Sequence, residues 1–214
     1  MGPSSDASSA DEPQHIAIPA AFHREPLDDG QQNRSSSLGL QVNRPIVRIK
    51  FDTPTLAPMA HTHFCLKYRA DCKVGKIKFR GGALKLTAER RAELVQVNAE
   101  VNRAIAPERN DQGLAGEKWL ISPKAGDCND YAVTKRHELL ARGWPARALL
   151  LAEVVTTWGE HHLILVVRTN EGDMVADSLN ANIRHWSKTP YQWVRIQSPA
   201  NPMYWSTVAS TVVG

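Results

Sequence analysis

The chain is short of cysteine, has no long apolar run and shows no secretory leader. Only three cysteines occur in 214 residues: Cys65, Cys72 and Cys128. No apolar stretch approaches the roughly 18 residues that cross a bilayer, which excludes a transmembrane helix. A basic stretch followed by an apolar one is also missing from the N-terminus, so no signal peptide is visible. That leaves either a cytoplasmic chain or one whose targeting segment is not in this sequence. Finally, no cluster of basic residues interleaves with aromatics, as a nucleic-acid surface would require.

What is present fits one soluble domain with a sizeable core: 42% hydrophobic and 22% charged residues. The formal charge of +4 is unevenly spread. Residues 1–40 carry six acids (Asp6, Asp11, Glu12, Glu25, Asp28, Asp29) and two bases, leaving 24 basic against 16 acidic residues downstream. Because those bases are scattered, they read as a solvated surface with a mild preference for acidic partners. Residues 1–44, rich in Ser, Asp, Gln and Pro, read as a disordered or loosely attached segment. Residues 45–214 form the folded domain, in which 45–85 are mixed and broken by Gly81-Gly82.

Two helices are well signalled. Thr87 is an N-cap, with Leu94, Val97, Val101 and Ile105 on one face and Pro107 as the stop. Asp127 caps a second helix that runs to Gly143, with Pro145 just beyond. Strand signals follow at 148–155, 162–167, 174–177, 191–196 and 203–208, with a turn over 170–173. Helices followed by hairpin-linked strands predict an α+β fold with an antiparallel sheet.

Cys65 and Cys72 lie close enough in sequence to be a disulfide or two buried thiols. His61 and His63 make a His-x-His-x-Cys run whose spacing matches no usual zinc pattern. Cys128 stands alone in the first turn of the second helix. There the helix N-terminus lowers a thiol pKa, and its unpaired N–H groups can receive an oxyanion. By itself the position favours a small buried hydrophobe, the commonest fate of a free cysteine. His162 opens an apolar strand and Asp177 ends the next, which gives an imidazole base and a carboxylate to orient it. His161 competes with His162, since neighbours on a strand face opposite ways. Trp119 is a candidate oxyanion donor through its indole N–H, or a core residue.

These residues carry a resemblance. The runs Gly126-Asp127-Cys128-Asn129-Asp130-Tyr131-Ala132, Lys135-Arg136, Gly143-Trp144-Pro145, Gly159-Glu160-His161-His162-Leu163 and Asp177-Ser178-Leu179-Asn180 resemble the bacterial transglutaminase-like cysteine proteinases. So do Phe64-Cys65 with Asp71-Cys72, and Trp119 with Pro123. The resemblance implies a papain-like/transglutaminase-like fold, with N-terminal helices packed on an antiparallel sheet. It puts the catalytic cysteine on Cys128, the histidine on His162 and the aspartate on Asp177. It further implies a protein or peptide substrate, such as a cell-surface protein, and a periplasmic or secreted location.

No cofactor is implied as a requirement. Some relatives bind calcium through acidic residues flanking the nucleophile, which here are Asp127, Asn129 and Asp130. Asn129 removes one charge from that set, and helix capping accounts for the two aspartates. Two other functions share the fold: acyl transfer to an amine, as in protein cross-linking, and a catalytically silent binding module. The residue pattern does not separate water from amine as acceptor.

Overall fold

Local chemistry sets the helical half of the molecule. In the computed structural model, which describes residues 46–73, 83–110 and 113–209, the expected N-terminal segment 1–44 and the Gly81-Gly82 breaker lie outside the described residues. The elements run in the order β1 (Phe51–Thr55), α1 (Met59–Lys67), α2 (Ala88–Ala104), β2 (Ala106–Pro107), α3 (Gly113–Gly116), β3 (Ala125–Gly126) and α4 (Cys128–Ala141). Strands β4 (Leu149–Val155), β5 (His161–Thr169), β6 (Gly172–Ala176), β7 (Arg184–His185), β8 (Gln192–Gln197) and β9 (Trp205–Val208) follow. Thr87 is extended and its hydroxyl accepts the Arg90 N–H, fixing the start of α2. Leu94, Val97 and Val101 are buried along its inner face.

Seven strands form one sheet in the order β1-β9-β8-β4-β5-β6-β7, every neighbouring pair antiparallel. On one face Leu149, Leu151, Leu163, Leu165 and Val167 pack with Phe64, Leu94, Val97, Val101 and Leu139 from the helices. Leu150, Ala152, Val154, Ile164 and Val166 fill the other with Ile49, Trp186 and Ile196. Covered on both faces, β4 and β5 read in sequence as continuous apolar runs rather than as alternation. The β5–β6 hairpin turns through Asn170 and Glu171 between the paired Thr169 and Gly172. Gly172 sits at φ +115°, a conformation that favours glycine.

The expected α+β architecture is therefore present, with additions. Helix α1 and strand β1 both arise in the stretch read only as mixed. β1 contains Pro54 and pairs only with β9 at the sheet edge, where a missing N–H is tolerated. Cys65 and Cys72 form a disulfide against His61, which is fully buried. His61 Nε2 lies 3.4 Å from Cys65 Sγ and 3.0 Å from Gln197 Nε2. Burial, aided by Arg136, holds that imidazole down to about 4, so it packs as a neutral ring.

Candidate active site

The site begins where α4 begins. Strand β3 pairs in parallel with β2 and delivers the chain to Asp127. The Asp127 carboxylate accepts the Asn129 N–H at 2.9 Å. Asp130 closes the capping box: its Oδ2 accepts the Asp127 N–H at 3.1 Å, and its Oδ1 accepts the Leu120 N–H at 2.7 Å. Gly126 is needed here, because a Cβ on it would lie 2.1 Å from Asp130 Oδ2. Any side chain at 126 would displace the capping carboxylate. Cys128 is thus the first helical residue, half-buried and unbridged, and its sulfur accepts the backbone N–H of Leu163 near the start of β5.

The adjacent histidines have opposite surroundings. His161 has a side chain 70% exposed, with Nδ1 2.6 Å from Glu153 Oε1 at the surface. His162 is 4% exposed, and its Nε2 lies 2.7 Å from Asp177 Oδ1. Asp177 stands one residue past β6 and is itself buried. Its Oδ1 also accepts the Leu179 N–H at 3.0 Å, and Oδ2 accepts the Tyr191 hydroxyl at 2.5 Å. From α2, Asn102 Nδ2 donates to the Asp177 carbonyl at 3.0 Å. Burial alone would raise the Asp177 carboxyl. His162, through its hydrogen bond and charge, together with Tyr191 and Leu179, outweighs burial and holds it below the ordinary range. Burial and Asp177 push the Tyr191 phenol up, so Tyr191 stays a donor. The Tyr191 ring also meets the His162 ring edge-on, with centroids 5.9 Å apart.

Tyr191, Asn102 and the Leu163 N–H are features of the site that sequence reasoning missed. No spacing rule links Tyr191 to Asp177; only the fold brings them together.

One electrostatic expectation is overturned. The helix N-terminus was expected to lower the Cys128 thiol, yet burial pushes it up to about 12, reinforced by the Asp127 and Glu117 carboxylates. The N–H groups of Leu163 and Cys128 pull the other way but do not prevail. Trp119, read above as a candidate oxyanion donor, is buried, and its indole N–H donates to Glu117 Oε1 at 3.0 Å. The same oxygen accepts Asn129 Nδ2 at 2.5 Å.

The acids around Cys128 serve the start of α4 as caps. Asp127 and Asp130 are committed to backbone N–H groups, and Asn129 turns its amide nitrogen toward Glu117. Burial, with the charges of Asp127 and Glu117, pushes Asp130 up to about 6. Among the described residues, the group of three metal-ligating side chains with atoms drawn close together is His61, Cys65 and Cys72, and its sulfurs are already bonded to each other.

The family described as bacterial transglutaminase-like cysteine proteinase matches residues 51–212. None of the curated proteins compared with the chain matches it. Among solved structures, LapG of Legionella pneumophila is similar at 26% identity and a TM-score of 0.43, covering 49% of this chain and 62% of that one. The chain thus spans less than two thirds of that structure. Calcium-bound LapG of the same organism is similar at 21% identity and a TM-score of 0.48, covering 57% and 73% of the two chains. An EGTA-treated form gives 23% identity and a TM-score of 0.46, covering 56% and 71%.

Proposed function

The chain belongs to the bacterial transglutaminase-like cysteine proteinases, and from that premise we propose that it hydrolyses a peptide bond in a protein substrate through Cys128, His162 and Asp177. Its helices on an antiparallel sheet are the papain-like/transglutaminase-like fold of that family. One observation carries the proposal. The buried imidazole held by Asp177 lies near the start of β5, the strand on which α4 packs with Cys128 in its first turn.

In this reading Nε2–H of His162 donates to Asp177, which leaves Nδ1 as the basic nitrogen. Cys128 rests as a thiol, so His162 removes its proton as the sulfur attacks the peptide carbonyl. The Cys128 backbone N–H at the start of α4 receives the oxyanion, while Trp119 anchors Glu117. The C–N bond breaks, the amine departs with the proton from His162, and the acyl group remains on sulfur as a thioester. Water, deprotonated by His162, then hydrolyses the thioester and returns the thiol. Tyr191 and Leu179 hold Asp177 so that its carboxylate stays aimed at Nε2.

The Cys65–Cys72 disulfide supports an oxidising compartment such as the periplasm. Although a calcium-bound LapG exists, the committed capping carboxylates and Asn129 here support turnover without calcium.

The test is N-terminal sequencing by mass spectrometry of exported proteins incubated with wild type or Cys128→Ala, in EGTA and in calcium. Wild type is expected to create new N-termini under both conditions and the variant none. Identical peptide sets from the two proteins contradict the proteinase reading. Cleavage that vanishes in EGTA contradicts the calcium-free one.

A further inference from the structure

Three guanidinium groups line one cavity at the far end of β5 from His162. The cavity encloses about 510 Å³, the size of a small-molecule site. Arg48 reaches it from the segment before β1, Arg168 from β5, and Arg147 from the short 3-10 helix Ala146–Ala148 that leads into β4. Leu84, Ala148 and Pro199 supply an apolar wall. Among the described residues that line it, none is acidic.

Two of the arginines are held in place by the fold. Arg168 Nε donates to Asp173 Oδ1 at 3.3 Å, and its guanidinium lies 5.1 Å from the centroid of the Phe51 ring. Arg48 Nη2 donates to the Thr169 carbonyl at 2.6 Å, and its Nη1 lies 3.6 Å from the same Asp173 oxygen. Asp173 is fully buried behind them, with its other oxygen on the Ile49 N–H. One carboxylate thus stands between two cations and cannot balance both. The wall is fixed as well. Leu84 bridges to Thr169, and its carbonyl accepts the Asn170 N–H at 2.8 Å. The Ala148 N–H donates to the Pro145 carbonyl at 2.8 Å.

A guanidinium is a planar fork that matches a phosphate or carboxylate, and one already fixed loses little side-chain freedom on binding. Two cations this close repel each other, and an incoming anion relieves that repulsion. We propose that this cavity binds a small molecule carrying a phosphate or carboxylate group on an apolar body. The oxyanion sits among the guanidiniums of Arg48, Arg147 and Arg168, and the body packs against Leu84, Ala148 and Pro199. Arg168 lies six residues beyond His162 on β5, about 20 Å along the strand. The assignment therefore does not rest on the proteinase reading.

The test titrates the isotope-labelled full chain with phenyl phosphate and, separately, with benzoate, following backbone amides by NMR. At least one is expected to bind saturably, with a Kd of about 1 mM or below. It should shift the amides of Leu84, Arg168 and Ala200 and leave those of Cys128 and Leu163 in place. The tighter of the two probes identifies the oxyanion. Arg147→Gln and Arg168→Gln are each expected to weaken binding about tenfold, and a urea melt of each variant reports whether it is folded. Should one unfold, the other variant and the pattern of shifted amides still decide. Shifts that do not saturate by about 10 mM of either probe, shifts centred on Cys128, or unchanged affinity in a folded variant overturn the proposal.

Discussion

Replacing His162 by alanine is expected to lower kcat/KM for peptide cleavage by about ten-thousandfold, while His161→Ala stays within about threefold of wild type. The contrast follows from their surroundings, since the residue types are identical. His161 points to solvent and pairs with Glu153, a contact that contributes only tenths of a kcal/mol. His162 is buried and oriented by a carboxylate that the Leu179 N–H and the Tyr191 hydroxyl hold in place, on a residue whose backbone carbonyl accepts from Asn102. Without it the Cys128 thiol, pushed up to about 12, has no base to take its proton at neutral pH. Steady-state kinetics on a fluorogenic peptide derived from a cleaved site measure both variants. A dead His161→Ala with an active His162→Ala would reverse the assignment.

The second large effect is on stability and lies at the far end of the same hairpin. Asp173, the second residue of β6, has no exposed surface. Its Oδ2 accepts the Ile49 N–H at 2.8 Å, and its Oδ1 lies 3.3 Å from Arg168 Nε and 3.6 Å from Arg48 Nη1. One carboxylate thus ties the segment before β1 to the β5–β6 hairpin and pairs with two guanidinium groups. Asp173→Ala leaves both cations and a buried N–H without that partner, at a cost of about 3–5 kcal/mol. Urea unfolding measures the loss. A change under about 1 kcal/mol would mean that water or neighbouring groups replace the carboxylate.

The legible parts of this protein were those where local chemistry and tertiary structure agree. Thr87 and Asp127 are sequence-local caps, and both start helices where the residues predict. Strands β4 and β5 stood out because two-sided burial makes them apolar throughout, whereas β8 and β9 showed as alternation. Cys128, His162 and Asp177 could be singled out because a helix start and successive strand ends are readable positions. Their surroundings were not readable. Asp127 caps α4 and also reinforces the burial that raises the thiol, so only distances and burial show which effect prevails. Tyr191 reaches Asp177 from the segment before β8, a contact made by topology rather than spacing. Helix α1 and strand β1 were missed because a nine-residue helix and a proline-bearing edge strand carry weak periodic signals.

The most direct test of the account is to catch the acyl group on sulfur. Rapid acid quench of wild type with an activated ester of a cleaved peptide, followed by peptide mapping, should place the acyl mass on Cys128. Hydroxylamine should remove it, and His162→Ala should show almost none. An adduct on another residue, or equal acylation of wild type and His162→Ala, would contradict the claim that Cys128 is the nucleophile and His162 its base.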